Sequence, residues 1–145
     1  MSYKIVVGLD GSGADGKAVR YAQELGTALG ASELLLVYVI EWSPFSFQTP
    51  EENAERHKRR EQEIDLAQTR VVDPAVAKLA GAGVSVRGIV QHGNVADTLD
   101  RVAREEGAKQ IVVARTDANS LSERIFGSST ANLVMHASVP VTVVS

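Results

Sequence analysis

Five short runs of the chain read as strands, and the stretches between them carry apolar residues at three- and four-residue steps. Lys4 to Leu9 (KIVVGL), Glu33 to Ile40 (ELLLVYVI) and Ile111 to Ala114 are too continuously apolar for strands with one wet face, so they predict strands buried on both sides, as a parallel sheet requires. Val84 to Gln91 alternates at Val84, Val86 and Val90, and Val139 to Val143 completes the set.

The intervening stretches have helical period. Ala18, Tyr21, Ala22, Leu25, Ala28 and Leu29 form one stripe, with Gly30 placed as a C-cap. Ala96, Leu99, Val102 and Ala103 form another, with Asn94 as N-cap and Gly107 as the stop. Glu51 to Ala82 predicts a long helix whose first half, EENAERHKRREQEI, is solvated and laced by charge, Glu51 and Glu55 being opposed by Arg56 and Arg59. Pro74 interrupts it; a kink in one long helix is preferred to a new helix opened by Asp73-Pro74, and Gly81 and Gly83 end it. A further helix is expected between the polar loop Arg115 to Ser120 and the last strand. Glu41 to Pro50 holds Trp42, Pro44, Phe45, Phe47 and Pro50; it predicts an irregular loop whose aromatics need cover from the body of the protein or from a partner.

Strands alternating with helices in this way imply an α/β fold. The expectation is a single Rossmann-like, doubly wound domain with a five-stranded parallel sheet and helices on both faces. With 145 residues, 44% of them hydrophobic, there is material for one core. The formal net charge of −3, from 15 basic and 18 acidic residues, gives no electrostatic footprint for nucleic acid or an anionic membrane. Cysteine is absent, which removes disulfides, thiolate metal sites and cysteine nucleophiles; with no signal-type start and no apolar run of membrane length, the expectation is a cytoplasmic protein.

Chemistry is expected where strands end and helices begin. In an open parallel sheet such junctions bind small anions, because free N–H groups and the helix dipole converge there. Gly127-Ser128-Ser129-Thr130 is the richest such candidate, with amides accessible beside glycine and three hydroxyls in sequence; Gly127 could equally serve close helix-to-sheet packing. Asp10-Gly11-Ser12 follows the first strand, and Asp10 either meets a ligand or caps the turn. Gly11 to Ala18 (GSGADGKA) nearly spells a P-loop, but Ala18 stands where that motif places the Mg²⁺-binding hydroxyl, and Asp10 puts a carboxylate at the mouth. Gly11 and Gly13 are therefore read as turn residues and Lys17 as a solvated charge. His57 reads as solvated, and His136 sits near a helix C-terminus, where a cation is favoured; His92, beside Gly93 at the end of the third strand, is the histidine placed nearest the site. No spacing suggests a zinc site or a Ser-His-Asp set.

IVVGLDGS near the start, HGNVADTL in the middle and VPVTVV at the end resemble, in order, the universal stress protein family. The resemblance spans nearly the whole chain and implies the strand order 3-2-1-4-5, with a ligand crevice between the ends of the first and fourth strands. Members that bind ATP carry Gly, two residues, Gly, nine residues, then Gly and Ser or Thr after the fourth strand. Here that register falls on Ala114, Asp117, Gly127 and Ser128. The resemblance implies that Asp10 and the backbone near Val39 take the adenosine end of ATP or AMP, while Gly127, Ser128 and Thr130 hold the phosphates, with Mg²⁺ when the ligand is ATP. Gly11, Ser12, Gly93, Ala114, Arg115, Asp117 and Ser129 complete the set of candidate binding residues.

Asp117 bears on how far this carries. A like charge opposes a phosphate by about 4 kcal/mol at roughly 4 Å in an effective dielectric near 20, whereas a helix N-terminus returns only about 0.3 to 2 kcal/mol. Asp117 must turn to solvent or ligate Mg²⁺, or Arg115 must compensate it; otherwise the fold acts as a protein-interaction module without nucleotide. An ATP pyrophosphatase would want Ser-Gly-Gly-x-Asp-Ser after the first strand, and the chain has Asp-Gly-Ser-Gly, so no enzyme is expected. Pro140 marks Val139 to Val143 as an edge strand, and the resemblance implies a homodimer paired through it across a two-fold axis.

Overall fold

Ile5, Val6 and Val7 are all fully buried, and because successive strand residues point to opposite faces, the strand that carries them must be covered on both sides. Ile5 and Val7 enter one apolar cluster with Ala18, Ala22, Leu34, Leu36 and Val112. Val6 enters the other with Leu35, Val37, Leu99, Val102, Ile111 and Val113. The structure, a computed structural model, describes residues 3–11, 14–30, 32–41, 50–79, 81, 83–115 and 130–145, with the side chains of residues 32, 50, 52, 53 and 56 outside that description.

The elements run β1 (Tyr3–Leu9), α1 (Asp15–Leu29), β2 (Ser32–Ile40), α2 (Pro50–Ala67), a π-helical turn (Gln68–Val72), α3 (Asp73–Lys78), β3 (Ser85–His92), α4 (Val95–Glu106), β4 (Gln110–Ala114), α5 (130–136 of it described) and β5 (Val141–Val144). The five strands form one parallel sheet in the order β3-β2-β1-β4-β5. That is the fold class and strand order expected from the sequence. Residues of α1, the π turn and α3 pack in the first cluster, while α4 and Leu133 of α5 pack in the second.

The helix ends follow the chain's own signals. Asn94 is extended and its Oδ1 accepts the Asp97 N–H at 3.0 Å, while Gly107 closes α4 at φ 70°. Gly30 closes α1 at φ 87°. The long helical stretch is interrupted rather than divided. Ala67, Val72 and Asp73 all keep right-handed helical dihedrals, and the Asp73 N–H reaches back five residues to the Gln68 carbonyl. Pro74 has no N–H to give, so one residue is absorbed into a wider turn just before it. The helix ends at Lys78, short of the expected Ala82.

Two further details depart from the expectations. β5 begins at Val141, because Pro140 offers no N–H to the ladder; its carbonyl instead accepts the Ile111 N–H at 3.0 Å. Glu51, Glu55 and Arg59 are exposed and form no ion pairs with one another, as exposed pairs gain too little to hold long side chains in place. The Trp42 loop lies outside the described residues.

Candidate functional site

β1 runs between β2 and β4, and the chain leaves β1 toward one side and β4 toward the other. This is the point in a doubly wound sheet where the crossovers part and open a crevice at the carboxyl ends of the strands. Gly8 stands against Val113, so Asp10 and Arg115, two residues on, leave the sheet on the same rim. Glycine allows close packing here: an added Cβ at Gly8 would lie 3.0 Å from Leu99 and Val113, tighter than ordinary contact. β2 outruns its neighbour. Its pairing with β1 stops at Tyr38, whereas its pairing with β3 continues through Val39 and Ile40. Val39 therefore lies beside the rim with no β1 partner, where the sequence reading puts the adenosine end.

The first N–H groups of that rim are occupied. The Asp10 N–H donates to Asp15 Oδ1 at 2.9 Å, and the Gly11 N–H donates to Asp15 Oδ2 at 2.8 Å. Asp15 opens α1 and turns back over the loop, so the acid of the first helical turn holds both amides. Gly11 takes φ 84°, a conformation glycine adopts freely, and its Cα faces the Tyr38 ring. In the P-loop-like stretch the Gly11 amide holds an internal carboxylate and Lys17 is exposed. Sequence reasoning did not single out Asp15, although an acid at the first position of a helix just after a strand-end turn is the signal for it.

Burial, and then the carboxyl of Asp10 beside it, push Asp15 up to about 7 against the two N–H bonds that favour its charged form. Burial also raises the Tyr38 phenol, with the charges of Asp10 and Asp15 adding to it. Two carboxyls and a phenol thus share one corner of the rim, where Asp15 carries less than a full negative charge near neutrality.

The other predicted residues are distributed as follows. Ala114 ends β4 and is buried, and the Arg115 N–H is committed to the Val144 carbonyl at 2.6 Å, leaving the exposed Arg115 side chain to reach a ligand. Gly93 follows β3, two strands from β1, and its N–H donates to the Ile40 carbonyl at 2.9 Å; it therefore flanks the end of β2. His92 bonds Glu63 of α2 at 3.1 Å and serves the helix–sheet contact, not the β1–β4 rim. Thr130 begins the described part of α5 and is half-buried. Ser12, Asp117, Gly127, Ser128 and Ser129 lie outside the described residues. Among the described residues no cluster of three metal-ligating side chains is present.

The model of the universal stress protein family matches residues 1–145. The chain belongs to that family. No curated protein matches it in sequence. Solved structures share its fold over almost the whole chain. A universal stress family protein from Burkholderia pseudomallei is 27% identical, with a TM-score of 0.64 over 97% of this chain and 94% of that one. A universal stress protein solved in complex with cAMP is 22% identical, with a TM-score of 0.65 over 99% and 96%. One from Arabidopsis thaliana, with AMP bound, is 17% identical, with a TM-score of 0.64 over 98% and 90%. Among universal stress proteins, then, this fold accommodates adenine nucleotides in at least two solved cases. In the described part of this chain, no helix is long and apolar enough to cross a membrane.

Proposed function

We propose that this universal stress protein is a homodimeric, cytoplasmic regulatory module that binds an adenine nucleotide at the carboxyl ends of β1 and β4, with occupancy rather than turnover as its output. The observation that carries the reading is that β2 outruns β1 at Val39, beside Asp10, at the switch point of the sheet. A flat adenosine would rest against the flank of β2 beyond its pairing with β1, with its polar edge on backbone there. The phosphates would extend toward Arg115, Thr130 and the Gly127-Ser128 segment. A partly protonated Asp15 beside Asp10 lessens the repulsion they would meet. Any Mg²⁺ would be held chiefly by the phosphates, since Asp10 and Asp15 supply two carboxyls and not a three-ligand set.

A second reading keeps the fold and dimer and dispenses with nucleotide. It is favoured by the Asp15 carboxylate, which already occupies the amides of Asp10 and Gly11.

Calorimetry with MgATP, MgADP and AMP on protein stripped of carried-over ligand separates the two. Micromolar binding that is lost in Gly127→Ala or Ser128→Ala and strengthened in Asp117→Gly supports the first reading. The absence of heat at millimolar ligand supports the second.

A further inference from the structure

A second concavity opens beside the turn that follows β1, with Leu9, Gly11 and Asp15 in its lining, on the sheet face covered by α1 and the π turn with α3. It is a cavity of about 440 Å³ between these helices, a size typical of small-molecule sites. Val19, Val71 and Leu79 give it an apolar wall, and Arg20, Arg70 and Lys78 stand around it. None of these three cations forms an ion pair or hydrogen bond with another described residue. The acid that reaches the cavity, Asp15, is engaged with the Asp10 and Gly11 amides at its upper end. Three like charges converging on one concave apolar surface repel one another unless an anion joins them. The interruption of the long helix helps shape this wall, because Arg70 and Val71 belong to the π turn and Lys78 to α3.

We propose that this cavity binds a small amphipathic organic anion, its apolar body against Val19, Val71 and Leu79 and its carboxylate or phosphate head among Arg20, Arg70 and Lys78. The site lies between helices on one face of the sheet; it shares Gly11 with the nucleotide set at its upper end, but it uses none of the residues proposed for the phosphates.

The test is calorimetry on the full chain with octanoate and with octyl phosphate, each below its micelle-forming concentration, and with octanol as the uncharged control. At least one anion is expected to bind in the submillimolar range, at least ~10-fold tighter than octanol, and comparison of the two identifies the preferred head. Arg70→Ala and Lys78→Ala, both at exposed positions and checked for fold by circular dichroism, are each expected to weaken it ~5- to 10-fold. Saturating MgATP should leave the affinity unchanged. Equal binding of octanol, unchanged affinity in both variants, displacement by MgATP, or no heat with either anion would overturn the proposal.

Discussion

The carboxylate of Asp15 folds back on Asp10, accepting its N–H at 2.9 Å while the two carboxyl groups stand side by side. Burial and this proximity raise Asp15 to about 7 from an ordinary value of 3.8. Between those values the folded chain holds a proton that the unfolded chain has released. The contribution to stability is thus complete below about pH 4 and disappears as the pH rises through 7. Urea unfolding of the native chain should give a midpoint that falls between about pH 5 and about pH 8, and the fall should be smaller in Asp15→Asn. Parallel pH profiles for the two proteins would contradict the assignment.

Gly88 and Val72 are matched as closely. A Cβ on Gly88 would stand 2.1 Å from Val72 Cγ1, in a place where Val72 is fully buried and cannot swing away. The π turn brings the helix down onto β3 at its one glycine. Gly88→Ala should cost about 1 to 3 kcal/mol by overpacking. Val72→Ala alone should also destabilise, by removing buried methyl groups. Combined, the two should cost less than the sum of the single changes, because each relieves the other. An additive double variant in denaturant titrations would show that the contact is not the cause.

The elements that could be read directly from the chain are those in which local and global preferences agree. Asn94, the stripe Ala96, Leu99, Val102 and Ala103, and Gly107 specify α4 within a residue at either end, and that stripe is buried as expected. The continuous apolar runs of β1, β2 and β4 gave parallel strands buried on two faces, since no one-sided strand would tolerate such a run. Strand order had to come from family resemblance, because pairing is a long-range choice that periodicity does not encode. The helix around Pro74 was legible as an interruption. Its form as a π turn was not, since the wider turn is matched to the missing side chain of Gly88, a residue far along the sequence. At the rim, Asp10 and Val39 were placed by motif, whereas Asp15 was missed because its role depends on a chain reversal of five residues.

Asp100 ties α4 to the segment leading into β5. Its Oδ1 accepts both the N–H and the hydroxyl of Ser138 at 2.8 Å, and its Oδ2 pairs with Arg104 at 3.2 Å. Partial burial works to raise this carboxyl, but the Ser138 bonds and Arg104 outweigh it and hold it below the usual aspartate range. Its contribution is present above the ordinary aspartate value and lost as the pH falls through the lowered one. Asp100→Asn should therefore lose about 1 to 2 kcal/mol near neutrality, with the gap to the native chain closing in acid. A gap that stayed constant down to about pH 2 would mean that packing, not charge, is responsible.

The free side of β5 is where a second copy would join. Pro140 and Val144 direct their carbonyls to β4, meeting the N–H groups of Ile111 and Arg115. By the two-residue alternation of strand bonding, Thr142 also faces β4, and the backbone groups of Val141 and Val143 face outward. Val143 is 41% exposed, and among the described residues no strand pairs with this side of β5. Val143→Pro removes an outward N–H and spares every bond to β4, while Thr142 before it keeps an extended conformation that proline accepts. If the dimer forms by strand addition here, sedimentation should give a dimer for the native chain and a monomer for Val143→Pro, with unchanged circular dichroism. A variant that remained dimeric would place the contact on another surface, and a native chain that sedimented as a monomer would remove the dimer from the proposed function.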